Sequence, residues 1–286
     1  MEQIHNLKLR VVVENSASLV DTQIWAQHGL CLFLDIDLGL ERMKILVDTG
    51  TSPEVTLHNA DALKLDLNDL DQIFLSHGHY DHTGGLMGIL KRMNRKVPVL
   101  AHPEIFSPKL KASPFLKFIS PPFSQAEIEK AGAVMLYSRS PVVLAQGVMT
   151  TGEVERKEPF EMVEGFWTIK EGLYSQDTIP DDQALIANIK GKGLAVITGC
   201  AHAGIVNTIK HAQNVTGVKD LYAVIGGFHL MGADERRIAF TAEALLGLDP
   251  AIVRPGHCTG QKAISRLQEV LADRCEPLYC GYAIDL

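Results

Sequence analysis

Between residues 76 and 85 the chain reads SHGHYDHTGG, which puts His77, His79, Asp81 and His82 within six positions. Imidazole and carboxylate at this density are borderline ligands, suited first to zinc and accepted by iron, manganese or magnesium. His77 and His79 lie two apart, as do His79 and Asp81, and in an extended strand end or tight turn such side chains share a face. His82 follows directly and must point elsewhere. The spacing suits two divalent metal ions, one held by His77 and His79 and its neighbour by Asp81 and His82. Histidines capping a helix and meeting solvent would account for one imidazole, but not for four ligand-type residues directly after an apolar run. Gly78, Gly84 and Gly85 are expected to let the backbone bend there without Cβ clashes.

The elements that must position this cluster are legible as alternating strand and helix patterns. LKLRVVV, GLCLFLDIDL and MKILVDTG read as strands, rich in β-branched or apolar residues. A helix follows Gly50, with Ser52 as its N-cap and Pro53 at its first position. DQIFLS is a short strand ending at the cluster, GGLMGILKRM a helix and VPVLAHP a strand. Past residue 182, ALIANIK and LAVITGC form a hairpin across Gly191-Lys192-Gly193. AGIVNTIKHAQNV, DERRIAFTAEALLGL and QKAISRLQEVLA read as helices, and LYAVIGG and AIVRPGHC as strands. Two strand-rich halves predict an α/β chain of two sheets back to back with helices outside, as a single domain over 1–286.

Between them, residues 103–182 hold eight of the thirteen prolines and nine of the eighteen aromatics. That enrichment predicts an insert capping the active site, with Phe115, Phe118, Phe123, Phe166 and Trp167 as stacking faces for flat rings. Lys109, Lys111, Lys117 and Arg139 are the cations it would bring to an anionic ligand. A purely structural excursion is the alternative.

Composition excludes several other classes. Net charge is −7 and no Lys/Arg run occurs, so nothing supports nucleic-acid binding. No apolar stretch reaches membrane-spanning length, and the polar start MEQIHNLK does not read as a signal peptide. Five scattered cysteines form no disulfide framework, which predicts a reduced, cytoplasmic setting. A homo-oligomer is left open. His5, His28, His58, His102 and His211 lack a motif and are read as structural or exposed.

The order His-x-His-x-Asp-His after a strand ending in Asp48-Thr49-Gly50 resembles the metallo-β-lactamase superfamily along essentially the whole chain. LVDTG matches its first motif, SHGHYDHTGGL its second and RPGHCTG its last. The resemblance implies an αββα sandwich of two mixed sheets with the site at one edge. It makes His257 a metal ligand and Asp48 the residue that orients the ligand loop, with helix capping by Asp48 as the other reading. TGCAHAG, VIGGFHL and PGHCTG resemble one branch, named for the archaeal synthase of 7,8-dihydropterin-6-methyl-4-(ribofuranosyl)aminobenzene 5′-phosphate, of methanopterin biosynthesis. There His202 becomes the third ligand of the first metal. Cys200 takes the place of the usual bridging aspartate, either as a thiolate or as a small residue at a strand end. His229 is read as a ligand or proton-transfer residue, and Asp181 and Asp182 as turn caps or metal-reaching carboxylates.

The function implied is that of a dinuclear metal-dependent enzyme acting on a small, anionic, aromatic substrate. In the synthase reading an electron-rich aryl carbon displaces diphosphate from a pterin methyl diphosphate, with the metals taking the leaving group. In the hydrolase reading the metals lower the pKa of bound water to near 7 for attack on an ester or phosphoester. Asp81 and His229 are the candidate proton-handling residues in both. A metal-binding or redox-sensing module without catalysis is the third reading.

Overall fold

The computed structural model describes residues 1–18, 20–162 and 164–286; Leu19 and, within the 103–182 stretch, Val163 lie outside them. Period-two alternation decides which core each strand feeds. On Asn6–Val13, residues Leu7, Leu9 and Val11 enter the space between two sheets while Val12 faces the other way. On Ala184–Ile189, Leu185, Ala187 and Ile189 meet them from the opposite sheet, and Ala184 and Ile186 face outward. Each fully buried Leu or Ile contributes roughly 1.5–3 kcal/mol. A one-residue slip would turn a whole strand's apolar set to the wrong side, so this alternation fixes register.

The first sheet runs Ala283–Asp285, Asn6–Val13, Cys31–Asp37, Arg42–Val47, Gln72–Phe74, Val97–Ala101, Ala133–Tyr137. The second runs Ile252–Gly256, Leu221–Gly227, Gly193–Thr198, Ala184–Ile189, Val148–Thr150, Val143–Ala145. Both are mixed: pairing turns parallel from Arg42–Val47 onward in the first, and among Gly193–Thr198, Leu221–Gly227 and Ile252–Gly256 in the second. Helices Pro53–Ala62, Leu86–Arg92 and Gln125–Ala131 cover the first sheet, and Ile205–Thr216, Glu235–Leu248 and Gln261–Leu271 the second. This is the αββα sandwich expected from the sequence. Parallel strands place their carboxyl ends at one edge, and Asp48, His77, Cys200, His229 and His257 all lie within three residues of such an end.

Residues 103–182 do not form a single insert. Helix Gln125–Ala131 and strand Ala133–Tyr137 extend the first half of the sandwich, and Val143–Ala145 and Val148–Thr150 complete the second sheet. The four strands left over, Leu110–Lys111, Lys117–Phe118, Phe166–Lys170 and Leu173–Gln176, make a small separate sheet. Composition averages over such a stretch and cannot separate short strands that pair with distant partners, as Val148–Thr150 does with Ala184–Ile189. No helix among the described residues is long and apolar enough to cross a membrane.

Candidate metal centre

The cluster residues come from sharp turns at strand ends. Asp48, Ala201, His229 and His257 all adopt left-handed φ, at 58°, 53°, 45° and 51°. For residues other than glycine this costs of order 1–3 kcal/mol each, a strain that the surrounding structure must hold in place. Gly78, Gly84 and Gly85 keep ordinary φ, which corrects the reason given for them. A Cβ there would run into the carbonyl oxygens of Ile105, Thr51 and Thr49, so close packing against backbone requires glycine.

Three histidines are gripped by their outer nitrogens. His77 Nδ1 lies 3.0 Å from Ser76 Oγ, His82 Nδ1 2.7 Å from Asp48 Oδ2, and His257 Nδ1 3.0 Å from Asn15 Oδ1. Such outer contacts fix ring orientation and leave Nε2 facing inward. Asp48 also accepts from the Ser76 amide at 2.8 Å and from Ser76 Oγ at 2.7 Å, so it orients the loop and does not cap the helix at Ser52. Glu14 receives the His257 amide at 2.6 Å.

The inward atoms form two connected groups. His77, His79 and His202 present ligand atoms within 4.8 Å of one another, and so do His28, Asp81 and His257. His77, His82 and Cys200 form a third such set that links them. His77 Nε2 is 3.0 Å from His79 Nδ1, and His82 Nε2 is 3.1 Å from both His257 Nε2 and Cys200 Sγ. Asp81 Oδ2 lies 3.4 Å from His257 Nε2 and 4.0 Å from His82 Nε2.

These donors fit metal. His79 Nε2, both ring nitrogens of His202 and His229 Nδ1 are buried with no hydrogen-bond partner. Leaving buried polar atoms unpaired costs about 1–3 kcal/mol each, and a cation held by the grouped side chains would relieve part of that cost. Burial and the neighbouring imidazoles hold His77 and His202 well below the usual histidine range, and burial does the same to His79; their lone pairs stay available. Burial also presses on His82, but the carboxylates of Asp48 and Asp81 outweigh it and lift it to about 9. Asp81 is held well below the carboxylate range, because His82, His257 and His28 outweigh its burial.

Besides Asn15 and Glu14, which hold His257, two more residues here went unrecognised in the sequence. His28, read as structural or exposed, places Nε2 3.1 Å from Asp81 Oδ2 with about half its side chain open to solvent. Cys258 packs beside Cys200, its Sγ 3.5 Å from the Cys200 carbonyl oxygen, and it accepts from the His229 amide at 3.3 Å. Burial disfavours both thiolates, yet Cys258 is drawn well below the ordinary thiol range by hydrogen bonds from Cys200 and His229, and Cys200 moves up. Adjacency to His257 was the only signal for Cys258, and His28 had none beyond its place just before a strand.

Asp181 and Asp182 brace the ligand loops. Asp181 accepts from the Gly78 amide at 2.8 Å and from Lys109 Nζ at 2.6 Å; Asp182 accepts from the Ala203 amide at 2.9 Å. Lys109 is fully buried between Asp177 and Asp181, and Arg139 pairs with Glu104 and Glu153, so neither offers charge to a ligand. Of the five aromatics, Phe166 alone borders the cluster: its ring lies 5.3 Å from His79, 5.1 Å from His202 and 5.7 Å from His229. Trp167, next along the strand, turns to the opposite face and stacks on Tyr174 at 4.5 Å. Phe123 packs against the helix-covered core, and Phe115 and Phe118 are exposed.

The His202 loop leads into helix Ile205–Thr216, whose first amides are received by buried Glu161 at 2.9 and 2.8 Å. Burial lifts Glu161 from 4.5 to about 7 against the pull of those amides. A pKa raised by folding means the folded chain holds that proton more tightly. Its contribution is therefore complete below about pH 4.5 and is lost as pH rises through 7, a change of about 3 kcal/mol. Thermal melts in chelator should show wild type losing stability over this window more steeply than Glu161→Gln. Parallel profiles would remove Glu161 as the source.

The family model of the metallo-β-lactamase superfamily matches residues 39–168. Over 99% of its length the chain is similar, at 35% identity, to 97% of the 7,8-dihydropterin-6-methyl-4-(β-D-ribofuranosyl)-aminobenzene-5′-phosphate synthase of Methanocaldococcus jannaschii. The chain belongs to the metallo-β-lactamase superfamily. An uncharacterized protein of the same organism is 30% identical over 92% of the chain and 94% of its own length. A solved metal-dependent hydrolase of the β-lactamase superfamily aligns with a TM-score of 0.81 over 98% of this chain and 99% of its own, at 24% identity. Unliganded yeast PDE1 aligns at 0.56 over 99% and 100%, at 10% identity. These two likenesses concern the fold. The metallo-β-lactamase superfamily is metal-dependent, this chain is one of its enzymes, and its clustered His, Cys and Asp groups can hold metal.

Proposed function

We propose that this superfamily member is a dinuclear synthase that joins a 7,8-dihydropterin methyl diphosphate to a (ribofuranosyl)aminobenzene 5′-phosphate and releases diphosphate. The observation that carries this reading is the end-to-end likeness to the synthase of that name. His77, His79 and His202 would hold one divalent ion and Asp81, His82 and His257 the other, with Cys200 between them. Zinc suits this donor set first, with iron, manganese or magnesium as alternatives. When bound, such ions supply positive charge against the departing diphosphate.

The chain's own residues supply position and proton handling. Phe166 offers a flat apolar wall beside His79, and a stacked ring gains about 0.5–1.5 kcal/mol beyond area burial. The amine nitrogen attacks rather than a ring carbon, because its lone pair is the more available. As the nitrogen–carbon bond forms, the methyl carbon–oxygen bond breaks and its electron pair leaves on diphosphate. The nitrogen then loses a proton, and His229, which borders the cavity, is placed to receive it. Asp81, paired with half-exposed His28, gives a route for protons to solvent. A reducing cytoplasm suits the five free thiols.

Supplying both substrates to the metal-loaded protein should release diphosphate and coupled product one to one, and only when both are present. Diphosphate release at the same rate without the amine, or turnover of simple phosphoesters with no coupling, would assign hydrolysis instead.

A further inference from the structure

Lys111 and Lys117 stand directly opposite each other on the strands Leu110–Lys111 and Lys117–Phe118. Opposed side chains on an antiparallel pair have Cβ atoms about 4.5–5.5 Å apart, and like charges placed so repel. Among the described residues neither ammonium makes an ion pair, whereas Lys109 and Arg139 of the same stretch are each neutralised by two carboxylates. The register also sets Phe166 opposite Lys111, so the three side chains share one face of the small sheet. Lys111 Nζ lies 5.8 Å from the Phe166 ring centroid, within cation–π reach. All three line the cavity that also exposes His79, Asp81, His202 and His257.

In a chain of net charge −7, two adjacent unneutralised cations beside a metal-binding cluster are a local feature with its own cause. An anion seated between them would turn the repulsion into attraction. We infer that Lys111 and Lys117 clamp a phosphate oxyanion of the substrate, outside the metal ligands, while Phe166 carries the flat ring of the same substrate. This rests on the synthase reading and deepens it. Two sources share the chemistry, the leaving diphosphate and the 5′-phosphate of the arylamine. Lysine suits a group that must depart, being a mobile point charge without the fixed fork of arginine.

The test titrates metal-loaded protein with inorganic diphosphate and with ribose 5-phosphate, comparing wild type, Lys111→Ala, Lys117→Ala and the double variant. Both side chains are exposed, so metal content and melting temperature should stay at wild-type values. The double variant should bind at least one probe about tenfold or more weakly, with a shallower salt dependence. Lys111→Arg with Lys117→Arg should recover part of the loss. A loss confined to diphosphate places the clamp on the leaving group, and one confined to ribose 5-phosphate places it on the acceptor. Equal binding of both probes by wild type and double variant overturns the clamp and leaves the synthase reading standing. Lysine-dependent binding without coupled product keeps the clamp and drops the synthase. A wild type that binds neither probe overturns both.

Discussion

His77→Ala protein, purified without chelator, should carry about one metal equivalent fewer than a wild type holding close to two. Its activity should fall by more than roughly 100-fold, since loss of a mere outer contact to a ligand already costs 10–100-fold. The expectation rests on His77 occupying the join between the two groups: its Nε2 reaches His79, and it shares a ligand set with His202 and another with His82 and Cys200. Elemental analysis gives the count and the metal together. A metal-free wild type with full activity would end the metalloenzyme reading. One ion per wild-type chain would change the proposal to a mononuclear site.

The second large effect is expected at Asp48, which touches no metal position. Its two oxygens receive three groups, the Ser76 amide, the Ser76 hydroxyl and the facing His82 Nδ1, in a fully buried site. Asparagine has one acceptor oxygen, so in either orientation its amide group confronts a donor or forces His82 into the tautomer with a proton on Nε2. That proton would point at His257 and Cys200, where a lone pair is needed. Asp48→Asn should therefore weaken metal binding by roughly 10–100-fold, measured by competition with a chromophoric chelator. Unchanged affinity with a lowered melting temperature would reduce Asp48 to a brace of the loop.

The part of this site legible in the sequence is the part that is local. His77, His79, Asp81 and His82 sit in one turn, and the alternation of Leu7, Leu9 and Val11 announces its sheet without knowledge of any partner. Asn15, Glu14 and His28 act on residues far along the chain, through single contacts that leave no periodic or compositional trace. Phe166 and Trp167 are adjacent in sequence and opposite in space. Choosing between them required the register against Leu110–Lys111, which is a property of two strands and not of either one. The division of 103–182 among three sheets, where one insert was expected, was illegible for the same reason.

The centre draws on both halves of the sandwich, and this bears on how the protein is assembled. His82 meets Cys200 across 118 residues of chain and His257 across 175. Closing loops of that length costs only slowly more with each added residue, but it must be complete before any ion can find all its donors. A cation bound by donors from both halves would therefore work as a non-covalent staple between them, its binding energy adding to the stability of the docked chain by mass action. An ion that took donors from both halves would be complete only on a sandwich already closed.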